Sequence, residues 1–285
     1  MRWLITGAGG MLGAELTATL AAERSEEVTP LSRSGLDVCD PGAVRAAVRR
    51  YRPDVVVNCA AWTAVDAAET HEAEALAVNG RAVGGLAEAC ADHGARLVQI
   101  STDYVFDGAS PEPYPEDAPV CPVNVYGRSK ALGERAALGF GHHVVRTAWL
   151  YGAGGGNFAS TMIRLARTGN VVPVVDDQAG QPTWTGDLAA QILRLVRADA
   201  PPGVYHGTNA GRTTWYGFAR EIFAALGADP DRVKPVGSEE FPRPARRPAS
   251  GVLGHAGWDR AGLAPMRDWR EALRAAWPAL PGSSQ

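Results

Sequence analysis

Short apolar runs alternate with amphipathic stretches along the first half of the chain. Residues 1–6 form an apolar run that predicts a strand, and the glycine-rich segment 7–13 and the helix-forming residues 14–22 follow it. The run 54–61 is rich in β-branched residues, which is typical of a strand that a parallel sheet buries on both faces. Other strands are predicted to end near Leu31 and to occupy 96–101 and 143–149.

Helices are predicted between these strands. Asp40 is suited to cap a helix that begins at Pro41 and continues to Arg50. A long helical pattern covers 72–93 and another lies near 126–138. Repeated β-α units of this kind predict an α/β fold of the Rossmann type, which has a doubly wound parallel sheet with right-handed crossovers.

The alternation weakens after about residue 150. We therefore expect residues 1–150 to form a dinucleotide-binding domain and residues 151–285 to form mainly a smaller C-terminal substrate-binding cap. This boundary leaves segments near 171–200 free to join the first domain. The second half is predicted to contain a strand at 171–175 and helices at 158–167, 187–197, 215–226 and 268–277.

Composition narrows the class of protein. The chain is 46% hydrophobic with a net charge of −3, so we expect no nucleic-acid partner and no membrane partner. Its four cysteines have neither zinc-site nor disulfide spacing, and its first residues do not resemble a secretory signal, which favours a cytoplasmic protein. The C-terminal part of the chain is relatively basic, and its Pro-Arg cluster, 242–248, is a candidate binding site for an anionic ligand.

The segment 7–13 predicts a dinucleotide site. Gly7, Gly10 and Gly13 follow a strand and begin a helix, where backbone N–H groups and the helix dipole favour a pyrophosphate. The alternative is a purely structural turn. Ser32 and Arg33 lie where an NAD enzyme would place an acidic residue, and a guanidinium there suits a 2′-phosphate. NADPH is therefore favoured, with NADH and a solvated surface role for Arg33 left as alternatives.

Tyr126 and Lys130 form a candidate proton-transfer pair. Positions i and i+4 share one face of a helix, so both side chains can face one cleft. The chain has only 2 lysines among 28 basic residues, and with 7 tyrosines the chance expectation for this spacing is ~0.05. A cation beside the phenol is expected to stabilise its phenolate. Thr102, at the carboxyl end of a strand, is placed to hydrogen-bond a substrate carbonyl. The alternative is a surface pair.

Several motifs in order resemble one family. The chain is similar to the extended short-chain dehydrogenase/reductases and, more narrowly, to the dTDP-4-dehydrorhamnose reductase family. The motifs are GAGGMLG (7–13), DVVVNCAAWTAVDAAE (54–69), STDYVFDG (101–108), VYGRSKALGE (125–134), RTAWLYG (146–152), GNF (156–158), DQAGQPTW (177–184) and ARRPASGVL (245–253).

The resemblance implies roles for particular residues. Thr102, Tyr126 and Lys130 would be the catalytic set. The implied cofactor-binding residues are Gly7, Gly10, Met11, Leu12, Gly13, Ser32, Arg33, Asp37, Val38, Ala60, Ala61, Trp62, Thr63, Tyr126 and Lys130. The implied substrate-binding residues are Thr102, Asp103, Trp149, Gln181, Arg246 and Arg247. Trp62 departs from the Tyr that the family commonly has, a change that we expect to preserve stacking.

The implied reaction is reduction by NADPH of the C4 keto group of a dTDP-linked 4-keto-6-deoxyhexose, with Tyr126 as proton donor. A 4,6-dehydratase is disfavoured because the run Thr102-Asp103-Tyr104 lacks the Asp-Glu pair of those relatives. A nucleotide-sugar 4-epimerase and a non-catalytic regulatory subunit remain alternatives. The sequence leaves open the sugar, the C4 stereochemistry, and whether the chain is a monomer or a homodimer. No metal site is predicted; Asp66 and Glu69 are the weak candidates for Mg²⁺.

Overall fold

The computed structural model describes residues 1–283 as an α/β fold with a central parallel sheet. Strands β1 to β5 are Arg2–Thr6, Glu27–Leu31, Val55–Asn58, Arg96–Thr102 and His143–Thr147. Strands β6 to β12 are Leu150–Tyr151, Val172–Val175, Ala179–Gly180, Thr183–Trp184, Gly203–His206, Thr213–Thr214 and Val233–Val236.

Helices α1 to α6 are Met11–Ala21, Pro41–Tyr51, Val65–Ala68, Glu72–Leu76, Ala82–Asp92 and Val125–Gly139. Helices α7 to α11 are Phe158–Ala166, Thr185–Arg197, Trp215–Ala225, Ala256–Arg260 and Trp269–Ala276. The Asp40 carboxylate accepts the N–H groups of Gly42 and Ala43, so the predicted cap of α2 is confirmed. No helix among residues 1–283 is both long enough and apolar enough to cross a membrane.

The main sheet has six parallel strands in the order β10-β5-β4-β3-β1-β2. The α/β architecture predicted from the sequence is confirmed. Because β1 lies between β2 and β3, the β1–β2 connection runs to one side of β1 and the β2–β3 connection crosses to the other, and a ligand crevice opens at the carboxyl ends of the strands there. Helices α1 and α8 pack on one face of the sheet, and α2, α5 and α6 pack on the other.

The main sheet extends past the division expected at residue 150. Strand β10, residues 203–206, pairs with β5, and helix α8 packs against α1. The first domain therefore takes in α8 and β10, whereas the strand at 172–175 pairs with β12 in the separate cap layer. The cap has its own core, in which Phe218, Ile222 and Trp269 are fully buried.

The long helix expected at 72–93 is interrupted. A five-residue π-helical turn, Ala77–Arg81, separates α4 from α5. The π turn has a wider backbone than the α-helix, so the hydrophobic period cannot reveal it in advance. Strand β3 is also shorter than the predicted 54–61, because the chain leaves the sheet after Asn58 and becomes the wall of the crevice.

Candidate active site

A cleft of about 1170 Å³ opens at the carboxyl ends of the strands of the main sheet. Its wall contains every residue that the resemblance implies for the cofactor, from the glycine loop to Tyr126 and Lys130. Thr102, Asp103 and Trp149, three of the implied substrate residues, lie in the same wall. The cleft therefore brings together residues that are more than 140 positions apart in the chain.

The glycine loop has the conformation that close ligand approach requires. Gly7 has a φ of +65°, and a Cβ there would overlap the backbone of Ala60. No side chain caps α1. The N–H groups at its start, from Met11 to Gly13, therefore have no hydrogen-bond acceptor from a capping side chain or from a carbonyl of a preceding helical turn. These donors and the helix dipole fit a pyrophosphate.

The far end of the same groove carries the residues expected at the adenosine. Ser32 and Ser34 lie with their hydroxyls 2.9 Å apart, and Arg33 between them is exposed at the cleft. The Asp37 carboxylate accepts the N–H of Cys39 at 3.0 Å, so this side chain also turns the chain, as the alternative interpretation held. The donor set here suits a phosphorylated ribose.

The π turn fixes the wall that would face the middle of the cofactor. Asn79 lies in this turn, and its amide accepts the N–H of Trp62 at 2.9 Å and donates to the Trp62 carbonyl at 3.0 Å. The same amide nitrogen donates to Ser129 Oγ on α6 at 2.9 Å. Asn79 therefore joins the Trp62 loop to the catalytic helix, a role that the sequence analysis missed. The signal available in the sequence was an asparagine within an Ala/Val-rich helical pattern.

The start of α6 places Tyr126 and Lys130. Asn124 caps this helix by accepting the N–H of Gly127 at 2.7 Å. A Cβ at Gly127 would overlap the carbonyl of Tyr104, so only glycine lets the helix approach the turn after β4 this closely. Thr102 is the last residue of β4 and lines the same cleft as Tyr126. The structure thus brings the three predicted catalytic residues together.

Burial dominates the proton affinities of this group. Desolvation raises the pKa of Tyr126 to about 12, with a further increase from Asp103 and a decrease from Thr102. Burial lowers the pKa of Lys130 to about 8, and its ammonium donates to the Ile100 carbonyl at 2.6 Å. The expectation that Lys130 stabilises the phenolate stays a prediction. The phenol is protonated at neutral pH, which is the state of a proton donor.

An aromatic pair forms the cap side of the cleft. Trp149 has a φ of +48°, a strained backbone for a bulky residue, and its ring stacks on Trp215 with centroids 3.5 Å apart. Phe158 packs against Trp215 at 4.6 Å. Trp215 lines the cleft but was not predicted from the sequence, because only the fold brings it to Trp149, 66 positions earlier.

Three predicted substrate residues do not line the cleft. Gln181 is buried, and its amide is committed to Leu253 and to the Thr208 hydroxyl. Arg247 forms a bidentate ion pair with Asp66, and Arg246 is exposed outside the cleft wall. Arg247 and the backbone of Ala245 thus join this segment to Asp66 of the first domain. The prediction of Gln181, Arg246 and Arg247 as substrate contacts stays a prediction, which their positions outside the cleft wall disfavour.

The carboxylates considered for Mg²⁺ have other partners. Asp66 accepts two hydrogen bonds from Arg247, and Glu69 accepts the N–H of Val125 at 2.8 Å, at the start of α6. Within residues 1–283 no group of three or more His, Cys, Asp or Glu side chains is arranged to hold a metal ion. This donor set does not fit a divalent cation.

Two hydroxyls in the cleft wall have no hydrogen-bond partner in the described part of the chain. Ser101 Oγ and Thr147 Oγ1 lie on the neighbouring strands β4 and β5, and both residues are buried. Buried hydroxyls normally find a partner, so both are available to a ligand or an ordered water. Thr147 is a further cleft residue that the sequence did not indicate.

Comparison with known proteins places this cleft in a family. The RmlD substrate binding domain family matches residues 1–280. A dTDP-4-dehydrorhamnose reductase from Streptomyces griseus is 54% identical over 99% of this chain and 94% of its own length. The chain belongs to the dTDP-4-dehydrorhamnose reductase family. The relationship inferred from the motifs is confirmed.

Two other relatives of this family inform the site. A dTDP-4-keto-6-deoxy-D-glucose reductase from Streptomyces niveus is 52% identical over 98% of this chain and 97% of its own length. A dTDP-4-dehydrorhamnose reductase from Bacillus anthracis, solved in complex with NADP, is 38% identical with a TM-score of 0.93, over 97% of this chain and 98% of the other. Reductases in this family thus differ in the sugar that their names give.

Proposed function

We propose that this protein reduces the C4 keto group of a dTDP-linked 4-keto-6-deoxyhexose with NADPH. The observation that carries the proposal is the single cleft that joins an uncapped helix N-terminus to Thr102, Tyr126 and Lys130. A phosphate-binding end and a proton-donating centre in one cleft are what a nicotinamide-dependent carbonyl reduction requires.

The cofactor is assigned to the groove along the carboxyl edge of β1 to β4. The start of α1 would hold the pyrophosphate, Arg33 with Ser32 the 2′-phosphate, and the Ala60–Thr63 loop the central part. When bound, NADPH supplies a hydride to the carbonyl carbon of the sugar. The complex of the Bacillus anthracis relative with NADP supports this choice of cofactor.

The proton is assigned to Tyr126. Burial keeps its phenol protonated, so it can donate to the alkoxide that develops on the sugar. The Thr102 hydroxyl belongs to the same cleft wall and would contact the same oxygen. Lys130, whose ammonium lies among cofactor-lining residues, would hold the nicotinamide ribose and keep positive charge near the phenol.

The sugar is assigned to the cap side of the cleft. Asp103 and Trp149 line this part, and aromatic faces pack well on the apolar face of a deoxyhexose. Gln181, Arg246 and Arg247 are left out of this assignment because their positions do not face the cleft. Which 4-ketohexose binds is decided by the shape of this end.

The test is the oxidation of NADPH by purified protein in the presence of dTDP-4-keto-6-deoxy-L-hexose. We expect the absorbance of NADPH to fall, and Tyr126→Phe should keep cofactor affinity while turnover falls by at least about a hundredfold. No oxidation by the wild-type protein with any of a panel of dTDP- and UDP-4-ketohexoses would refute the reductase assignment. NMR of the product fixes the configuration at C4.

The same assay separates the alternatives. A 4-epimerase would convert the sugar without net consumption of NADPH, and a regulatory subunit would bind the nucleotide without any conversion. We place the protein in the cytoplasm, because its four cysteines have neither zinc-site nor disulfide spacing, and we propose that it is a monomer or a homodimer. Size-exclusion chromatography with light scattering tests the oligomeric state.

A further inference from the structure

A buried threonine hydroxyl beside Thr102 has no partner. Thr147 is the last residue of β5, is 5% exposed and lines the cleft, and its Oγ1 forms no hydrogen bond within residues 1–283. The Thr102 hydroxyl, by contrast, donates to Asp103 at 3.0 Å and accepts the N–H of Tyr104 at 3.2 Å. Because buried hydroxyls normally have a partner, we expect Thr147 to find its own in the molecule that fills the cleft.

The sheet register places Thr147 on the cofactor side of the sheet. Thr102 and Thr147 are directly paired in the parallel strands β4 and β5. Side chains alternate between the two faces of a strand, so both threonines share the face of Ile100 and Val145, which pack in the core with α1 and α8. Ser101, the other unpartnered hydroxyl, lies on the opposite face. Thr147 therefore faces the side on which the start of α1 would hold a pyrophosphate.

Hydrogen bonds hold the backbone on both sides of Thr147. The carbonyl of Arg146 accepts the N–H of Gly207 at 2.7 Å, and the carbonyl of Trp149 accepts the N–H of Thr183 at 3.1 Å. Rotation about χ1 moves the hydroxyl of a threonine into the place of its methyl group. The hydroxyl can therefore turn to a ligand in the cleft without any shift of the backbone.

The order of the strands indicates which ligand group reaches Thr147. Along the carboxyl edge, Arg33 follows β2, the glycine loop follows β1, the Ala60–Thr63 loop follows β3, and Lys130 donates to a carbonyl of β4. Strand β5 comes next. Strands lie about 4.8 Å apart, so β2 to β5 span roughly 19 Å, which suits an extended dinucleotide with its adenosine at β2. The nicotinamide ring at the other end would then lie against β4 and β5.

We propose that the Thr147 hydroxyl binds the carboxamide of the nicotinamide and so fixes the orientation of the ring. The inference rests on the proposed function, which gives NADPH as the cofactor. The carboxamide is the polar substituent of the ring, and its oxygen and N–H groups can each pair with a hydroxyl. An anchored carboxamide fixes which face of the ring is turned toward the sugar.

Thr147→Val tests this contact, because it removes the hydroxyl and keeps the shape of the side chain. In calorimetric titration, the Kd for NADPH should rise about five- to tenfold, the loss expected for one hydrogen bond. The Kd for 2′-phospho-ADP-ribose, which has the adenosine and the pyrophosphate but no nicotinamide, should change by less than about twofold. Thr147→Ser keeps a hydroxyl and should bring the Kd for NADPH to within about threefold of wild type.

Thr185→Val is the matched control. Thr185 is fully buried, its hydroxyl also has no partner in the described part of the chain, and it lies outside the cleft wall. The same substitution there should leave both Kd values unchanged. Thr147→Ala repeats the test if the protein does not fold with valine at this position.

Analogues of the carboxamide locate the contact on the ring. In the 3-acetylpyridine analogue of NADPH a methyl group replaces the amide nitrogen, and in the thionicotinamide analogue sulfur replaces the oxygen. Thr147→Val should raise the Kd of at least one analogue by less than about twofold, because the contact is already lost in that complex. An equal loss with NADPH and with both analogues would overturn the proposal.

The binding data also distinguish this proposal from other roles of Thr147. An equal rise in Kd for NADPH and 2′-phospho-ADP-ribose would indicate a structural role and would overturn the proposal. An unchanged Kd for NADPH would overturn it too, and a raised KM for the sugar nucleotide in that case would assign the hydroxyl to the sugar. Wild-type protein that binds no NADPH would instead refute the cofactor of the proposed function.

Discussion

The buried ion pair behind the catalytic helix gives a prediction that can be worked from the structure. Arg146 on β5 donates to both oxygens of Glu134 on α6, at 2.9 and 2.8 Å, and the two side chains are only 4% and 3% exposed. Replacing Glu134 by Gln leaves a buried guanidinium without its counter-charge, which costs about 3–5 kcal/mol. The remaining contacts of Arg146, with the Glu116 carbonyl, the His206 ring and the Phe106 ring, carry no negative charge.

The expected loss corresponds to a fall in Tm of roughly 10 °C, measured by calorimetry or circular dichroism. The double change Glu134→Leu with Arg146→Met should regain most of it, because removing both charges removes the desolvation penalty. Glu72→Gln is the matched control: its pair with Arg128 is exposed, so the expected loss is below about 1 kcal/mol. A loss that small for Glu134→Gln would refute the reasoning.

The same substitution has a consequence at the active site. Glu134 lies one helical turn beyond Lys130 and raises its pKa, against the larger decrease caused by burial. Glu134→Gln should therefore lower the pKa of Lys130 below about 8 and move the alkaline limb of kcat/KM to lower pH. An unchanged limb in a variant that is folded would show that Lys130 does not control it.

Three further predictions concern the cleft. Wild-type kcat/KM should fall above about pH 8 as Lys130 loses its proton, and a profile that is flat to pH 10 would contradict this assignment. Gly180→Ala would place a Cβ against the Trp149 ring, so the KM for the sugar nucleotide should rise about tenfold while the Kd for NADPH stays constant by fluorescence titration. Burial raises the pKa of Asp103 from 3.8 to about 7, so the stability that its neutral form contributes is complete below about pH 4 and is lost as pH rises through about 7; Asp103→Asn should therefore be roughly 4 kcal/mol more stable than wild type at pH 8 and differ little from it at pH 4 in urea unfolding.

The features that the sequence predicted are those set by local periodicity. Tyr126 and Lys130 are four residues apart on one helix, and the glycine loop directly follows a strand, so each motif needs no information about distant residues. The main strands were predictable for the same reason, because buried parallel strands are continuous apolar runs. Strand β10 has only four residues, and its membership of the main sheet depends on pairing with β5.

The features that the sequence could not indicate depend on distant partners. Gln181 looked like a substrate residue, but the fold buries its amide against Leu253, 72 positions later. Arg247 looked free for an anion, but Asp66 lies 181 positions earlier and neutralises it. The type of a polar side chain shows that it needs a partner, and only the fold shows whether that partner is a ligand or the protein itself.

Two buried carboxyl groups close to the catalytic helix illustrate this difference in energetic terms. Glu134 has a bidentate cation, whereas Asp103 has only the Thr102 hydroxyl and backbone N–H groups. The same chemical change, a carboxyl group to an amide, should therefore have opposite effects: it destabilises the protein at Glu134 and stabilises it at Asp103 above neutral pH. A residue whose removal is expected to increase stability is retained at a cost to the fold, and its position in the cleft wall with Thr102 and Tyr126 accounts for that cost as one of function.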